Sequence, residues 1–359
     1  MSSNQERTPS EVAAELLQFI SPDLDRTTWA SIGMALKYEL PEDQAYHHFR
    51  TWSEQSDKFK TSDFNDTWRS IRAGNYKMAT LYHYAKLGGY TGEFSKATSA
   101  YLQQRSAERE KEIQLANEAR EQERRLARRD AQKFWGYSQK PQIDHAYLVK
   151  KGITNPIGIK EFVSKKSQAR FLQIPCFNKD GVLMSLQSIS ETGFKKFQKG
   201  AQIMGGSMSI GKTSANKDLP VIICEGWATG ISLNKASGLQ TVVAFNSMNL
   251  PNIAKNVREA YPQREIIIAA DNDYANTAGN VGVKAAEKAA SSIGNQNVYV
   301  IKPEFTDEEL TAFISKNGEN PSDFNDMDVF LGEAILFERV ENQIKQVIIE
   351  SDQSNGLSV

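Results

Sequence analysis

Carboxylates gather just past the apolar runs of this chain. Glu225 follows "VIIC", Asp271 and Asp273 follow "IIIAA" as "DND", and Asp323 and Asp326 lie in "DFND" further on. Several carboxylates within roughly 4–6 Å repel and raise one another's pKa values unless cations neutralise them. Oxygen donors of this kind suit the hard divalent cations Mg²⁺ or Mn²⁺. One or two such ions, about 3.5–4 Å apart when paired, orient the attacking and leaving oxygens of a phosphoryl transfer. A lone carboxylate after a strand can equally cap a helix, but three such ends with a D-x-D pair among them favour metal. A second motif, "GSMSIGKT" over 206–213, fits G-x-x-x-x-G-K-[ST], the loop that cradles phosphates and sends a lysine to them.

The elements needed to position the acids are legible. From residue 217 onward "LPVIICEG", "LQTVVAF", "REIIIAADND" and "NVYVI" read as strands, separated by the helical stretches "WATGISLNKAS", "NIAKNVREAY" and "AGNVGVKAAEKAASSI". Such alternation predicts an α/β domain with a mainly parallel sheet and helices on its faces. Ligands bind beyond the carboxyl ends of strands in such sheets, which is where Glu225, Asp271 and Asp273 fall. A P-loop needs a buried strand before it and a helix opening at its Lys-Thr. "KKFQKGAQIMG" is no buried strand, and only "SANKDL" separates Thr213 from Pro220. The segment is therefore expected to end one subdomain and link it to the sheet, with Lys212 kept as a candidate phosphate contact.

Upstream, "RFLQIPCF" and "GVLMSLQSIS" alternate like strands around the turn "NKDG", predicting a hairpin. Over residues 10–90 the apolar residues recur at helical spacing, as in Trp29, Ile32, Leu36 and Leu40, so short helices form a small domain over 1–95. Its aromatics Trp52, Phe59, Phe64, Trp68, Tyr82 and Tyr84 are expected in the core, and His47, His48 and His83 are expected to be structural. The stretch 96–134 has no proline or glycine and mixes charges at i, i+4 spacing, predicting a solvated linker helix.

The 359 residues carry a net charge of −1, but unevenly. Between Leu148 and Lys217 twelve Lys/Arg face three acids, a local charge of +9, and from Pro303 onward three basic residues face thirteen acids, a charge of −10. A basic island beside acidic clusters fits a protein that grips a polyanion and holds metal ions. Cys176 and Cys224 stand far apart in apolar runs, so neither a disulfide framework nor a zinc site is expected. No run reaches the roughly 18 apolar residues of a membrane span, and the opening "MSSNQERTPSEV" has no apolar signal core, so a cytoplasmic protein with no membrane partner is expected.

"CEGWATG", "AADND" and "DFND" together resemble the Toprim module of topoisomerases, bacterial-type primases and certain nucleases. The resemblance implies that Glu225, Asp271 and Asp273 are catalytic and ligate Mg²⁺ or Mn²⁺, with Asp323 and Asp326 as further metal ligands. Some primases of the family carry another aspartate four residues after the glutamate, where this chain has Thr229. "DHAYLVKKGI", "RFLQIPCFNKDGVLMSLQSIS" and "GFKKFQKGAQIMGGSMSIG" look like the first half of the polymerase core of plasmid- and phage-type primases. The first 95 residues are similar to the primase-associated, PriCT-like helical domain. The resemblance implies a multidomain fold: helical domain 1–95, linker helix 96–134, basic α+β subdomain 135–216 and Toprim α/β domain 217–359 with a helical tail. It makes Arg170, Gln187, Lys195, Lys196 and Lys199 candidates for template or triphosphate contacts, beside Lys212 of the "GSMSIGKT" motif as a candidate contact to the nucleotide. The implied activity is a primase that uses single-stranded DNA and NTPs, with a replicative helicase or replication initiator as partner. A Toprim nuclease or a non-catalytic DNA-binding protein of a mobile element stays open as an alternative.

Overall fold

A computed structural model describes residues 7–74, 76–92, 96–211, 219–272, 280–294 and 297–356. Two compact units divide the chain, Met1–Ala119 and Arg120–Val359.

The first unit is helical: α1 Pro9–Leu17, α2 Arg26–Glu39, α3 Glu42–Ser53, α4 Thr61–Ser70 and α5 Met78–Leu87. Local chemistry starts these helices. Thr8 and Glu11 form a reciprocal capping box at α1, and Asp25 accepts from the amides of Thr27 and Thr28 at α2. The stripe predicted on α2 is inward: Ile32, Leu36 and Leu40 are buried with Phe49, Trp52, Phe64 and Trp68. Trp29 and Tyr84 pack on the same core from its edge. His48 Nε2 lies 2.7 Å from the Ser10 hydroxyl, a structural contact.

Helix α6 runs from Lys96 to Tyr137, and its last turns belong to the second unit. There it departs from the expected solvated linker: Ala127 and Ala131 are buried, Ala131 against Leu183 and Leu186. Small side chains at i, i+4 let the helix sit close on a sheet, a contact that a charge-rich sequence obscures. A short helix α7, Ala146–Lys150, follows.

Strands β1 Lys160–Val163, β2 Arg170–Phe177, β3 Leu183–Ser190 and β4 Lys195–Phe197 form an antiparallel sheet in the order β1-β2-β3-β4. The predicted hairpin is β2–β3, with Gln173 opposite Ser188. Next come β5 Met208–Ile210, β6 Val221–Cys224, α8 Trp227–Ser237, β7 Thr241–Val243, α9 Leu250–Ala260, β8 Ile266–Ala269, α10 Val281–Ser291 and β9 Val298–Ile301. Helices α11 Asp307–Asn317, α12 Phe324–Leu331 and α13 Glu333–Gly356 follow.

The second sheet has the order β5-β7-β6-β8-β9, with β7, β6, β8 and β9 parallel and β5 antiparallel at one edge. Its central strand is buried on both faces: Ile222 and Cys224 enter the core shared with α8, and Val221 and Ile223 enter the core shared with α9 and α10. Burying each such side chain contributes roughly 1.5–3 kcal/mol. Gly230 lets α8 approach this closely, since a Cβ there would meet the Ile210 side chain at 2.9 Å and Val243 at 3.0 Å.

Strand β5 lies inside "GSMSIGKT". Met208, Ser209 and Ile210 pair with Val243, Val242 and Thr241, so this backbone is engaged in a sheet edge and not in a phosphate loop. The segment thus links the two sheets: Ser207 is bridged to Phe177 at the end of β2, and Met208–Ile210 pair with β7. Lys212 and Thr213 lie outside the described residues. No helix among the described residues is long and apolar enough to cross a membrane.

Candidate active site

Two of the strand-end acids stand on neighbouring strands. Strands β6 and β8 are paired in parallel with Cys224 beside Ala269, so Glu225 and Asp271 leave the same edge of the sheet one and two residues later. Each acid's backbone is held by its neighbours. The carbonyl of Glu225 accepts from the Phe245 amide at 2.8 Å. The amide of Ala270 donates to Ile301 at 2.8 Å and that of Asn272 to Ser322 at 2.7 Å. Gly282, near the start of α10, is pressed onto Asp271, where any Cβ would stand 2.3 Å from the Asp271 carbonyl oxygen. Phe245, next to Glu225 in the hydrogen-bond pattern, has φ 71°, a conformation rare for an aromatic residue and concentrated at functional sites.

Asp323 and Asp326 sit in the first turn of α12. Asp323 caps the helix by accepting from the Asp326 amide at 2.8 Å, and its other oxygen accepts from the Thr229 hydroxyl at 3.2 Å. Asp326 accepts from the Ser322 amide at 2.9 Å and from Lys151 Nζ at 3.1 Å. Lys151 Nζ also lies 4.0 Å from Asp323. One side of α8 thus meets α12 through polar contacts: Thr229 on Asp323, Ser232 on Asp328 at 2.8 Å and Lys235 on Asp328 at 2.7 Å.

The charges of three of these acids bear on one buried thiol. Burial pushes the Cys224 thiol well above its ordinary value, and the negative charges of Asp271, Asp323 and Glu225 push it further. Burial also raises Asp323, an effect that the Lys151 ammonium opposes and the Asp326 charge reinforces. Cys176, on β2, is pushed up to about 12 by burial alone. Both thiols are buried and separate, in keeping with small hydrophobes.

Among the described residues no three His, Cys, Asp or Glu side chains are gathered as a metal site. Asp273 lies outside those residues. Glu225 and Asp271 supply only oxygen donors at adjoining strand ends, a donor set that fits a hard divalent ion. Asp323 and Asp326 accept from the Lys151 ammonium, from a hydroxyl and from backbone amides. Sequence reading missed Lys151, Ser232 and Lys235. Lys151 and Asp326 are far apart in sequence, and no local pattern links them.

The basic candidates separate by position. Arg170 is tied up in carboxylates: 2.6 Å to Glu161, 2.7 Å to Asp144 and 3.6 Å to Glu191. Gln187 is buried, opposite Ile174 on the core side of the first sheet. Lys195 reaches the Tyr147 ring at 6.0 Å. Lys196 and Lys199 line a cavity on the other face of that sheet, with Lys196 Nζ 5.8 Å from the centre of the Phe171 ring.

Two family models match the chain: Primase C terminal 2 (PriCT-2) over residues 13–85 and the Toprim domain over residues 220–333. Two DNA primases TraC of Escherichia coli are similar, at 33% and 31% identity over 159 residues, 43% of this chain. The chain spans only 11% and 15% of those relatives. Among solved structures, the primase fragment of the bacteriophage T7 primase-helicase protein matches 40% of this chain and 57% of its own, at 14% identity and a TM-score of 0.31. A chain from the bacteriophage T7 lagging-strand DNA polymerase structure with primase domains matches 46% of this chain and 84% of its own, at 12% identity and a TM-score of 0.30. The helical unit and the acids Glu225 and Asp271 thus fall inside the two matched segments, and over these parts the chain is similar to DNA primases, with a PriCT-2 match followed by a Toprim match.

Proposed function

We propose that this chain is a DNA primase that joins ribonucleotides into short primers on single-stranded DNA, for replication of a plasmid, phage or other mobile element in the cytoplasm. The observation that carries the reading is the placement of Glu225 and Asp271 just past the carboxyl ends of paired parallel strands, inside the segment matched to the Toprim domain. These two acids, with Asp273, would hold one or two Mg²⁺ or Mn²⁺ ions. A divalent ion bound there supplies charge stabilisation for the α-phosphate under attack and for departing pyrophosphate.

The remaining work falls to the chain's own groups. Backbone hydrogen bonds around Glu225 and Asp271 fix the main chain that carries the two acids, which favours a site set up before substrate arrives. A primer 3′-hydroxyl attacks the α-phosphate of the next NTP, forming the new P–O bond as the bond to pyrophosphate breaks. Glu225 takes the hydroxyl proton. Lys151 balances Asp323 and Asp326, so that these two acids hold the α12 end in place beside the catalytic pair. A replicative helicase or a replication initiator is the proposed protein partner.

The test is primer synthesis on mixed-sequence single-stranded DNA with labelled NTPs and Mg²⁺ or Mn²⁺. Glu225→Gln and Asp271→Asn are expected to lose at least ~10²-fold in turnover, the scale for removing one preorganised electrostatic group. Lys212→Ala is expected to keep activity. Absence of product from the unaltered chain on several templates with both metals overturns the reading. DNA cleavage in parallel tubes without NTPs would assign a nuclease instead.

A further inference from the structure

The antiparallel sheet β1–β4 has two unlike faces. Leu172, Ile174 and Ile189 point into the core. On the opposite face the register lays down two adjacent rows across the strands. Phe162 pairs with Phe171 in one row, and Lys160, Gln173, Ser188 and Lys196 follow one another in the next. The end of α6 covers part of this face, with Ala131 on Leu186 and the Trp135 ring under Lys160 at 4.6 Å. Beyond Phe134, whose ring meets Phe162 edge-on at 5.2 Å, the face opens into a cavity of about 450 Å³. That volume lies in the range of small-ligand sites.

The lining has a definite chemistry. Phe134, Phe162 and Phe171 give flat apolar surface, Lys196 and Lys199 give positive charge, and among the described residues no carboxylate lines the cavity. Gln173 is buried at 3% exposure, and its Oε1 accepts from the Ser188 hydroxyl at 2.9 Å. With Oε1 engaged in this way, the amide nitrogen is the donor that Gln173 can offer a ligand in the cavity it lines. A ligand that satisfies all three features is flat and apolar on its faces, carries an acceptor on its edge and is flanked by negative charge. A nucleobase within a single strand meets these demands, because every base has a stackable face and its phosphates lie alongside.

We propose that this cavity is a stacking site for a nucleobase of single-stranded DNA. Phe171 and Phe162 form the platform, Gln173 donates to the edge of the base, and Lys196 and Lys199 meet the neighbouring phosphates. The site belongs to neither the strand-end acids nor the Toprim segment. The proposal rests on the primase reading only for the choice of DNA as the strand.

The experiment measures binding of a short, labelled, mixed-sequence DNA oligonucleotide to the full chain across a range of salt, without NTPs or metal. Phe171→Ala is expected to weaken binding roughly 5- to 150-fold, the range for loss of one aromatic–base stack, and Phe171→Tyr to restore it. The double variant Lys196→Ala, Lys199→Ala is expected to make the log–log salt dependence shallower by about 1.4, since each single-strand phosphate contact contributes about 0.7. An oligonucleotide carrying iododeoxyuridine is expected to photo-crosslink to the unaltered chain within β1 or β2.

Binding by Phe171→Ala within about 2-fold of the unaltered chain overturns the proposal, because a lost stack costs more than that. Crosslinks found only elsewhere overturn it too, and this readout needs no variant to fold. Weakened binding of a labelled free NTP in Phe171→Ala, with oligonucleotide binding unchanged, overturns it in favour of a mononucleotide site. Glu225→Gln separates the two readings: it should bind the oligonucleotide normally while losing primer synthesis.

Discussion

Lys151 Nζ stands 3.1 Å from Asp326 Oδ1, joining the end of α7 to the first turn of α12. Its main-chain carbonyl accepts from Asn325 at 2.9 Å, so the same residue holds α12 twice. Burial lowers the Lys151 ammonium, but the charges of Asp323 and Asp326 outweigh it and leave the group above its ordinary value. Lys151→Met is expected to destabilise the chain by about 3 kcal/mol, because two largely buried carboxylates lose their counter-charge. Adding Asp326→Asn should recover part of that loss. Urea denaturation of the single and double variants checks both, and two independent, additive effects would refute the coupling.

Arg170 is expected to matter for stability and not for DNA. Its Nε meets Glu161, whose side chain is only 4% exposed and also accepts from the Gln142 amide at 2.8 Å. The hydrogen bonds that Arg170 donates to Glu161 and Asp144 hold the guanidinium above its ordinary pKa range. Arg170→Ala should cost about 3 kcal/mol by stranding the Glu161 charge. Arg170→Lys should recover only a fraction, since an ammonium lacks the planar fork. Affinity for single-stranded DNA should change less than about 2-fold, and a large loss of affinity in a variant of unchanged stability would return Arg170 to the binding surface.

His145 predicts a dependence on acid. It is fully buried, and its Nδ1 accepts from the Tyr147 amide at 3.3 Å, so the neutral ring is the form that the fold holds. Burial lowers its pKa from the ordinary 6.5, with the Glu161 charge opposing that shift. The unfolded chain therefore takes up a proton before the folded one as pH falls. This contribution to stability is complete above 6.5 and is lost on the way down through and below it. His145→Asn keeps an acceptor for the helix start and removes the titration. Urea midpoints at pH about 7.5 and about 5.5 should differ less in that variant than in the unaltered chain.

Gly33 reports on the packing of the helical unit. It lies on α2 against α3, where an added Cβ would stand 2.8 Å from the Phe49 ring and 2.9 Å from Ile71. Phe49 is fully buried among other aromatics and has little room to move. Gly33→Ala is expected to cost about 1–3 kcal/mol through overpacking, despite the better helix propensity of alanine. A thermal or chemical midpoint at or above that of the unaltered chain would show that the α2–α3 contact is looser than the structure places it.

Much of this protein is written in neighbouring residues. The helix "WATGISLNKAS" forms over Trp227–Ser237, and the buried runs "VIIC" and "IIIA" form the strands β6 and β8 that present Glu225 and Asp271. Period and capping are local properties, set by residues within a turn or two, so a sequence displays them directly. The matched segments over 13–85 and 220–333 follow the same patterns.

Tertiary structure decided the rest. It made an edge strand of Met208–Ile210 within "GSMSIGKT", which the sequence offers only as a link between subdomains, because Val243, Val242 and Thr241 present a side of the sheet to it. It pinned Arg170 among carboxylates and set Lys196 beside Phe171, although both are basic residues of one island. It brought Lys151 to Asp326 across 175 residues and gathered Phe134, Phe162 and Phe171 around one cavity. Such pairings depend on strand register and on how helices settle on sheets. A shift of one residue in strand register would turn Phe162, Phe171 and Lys196 to the opposite face.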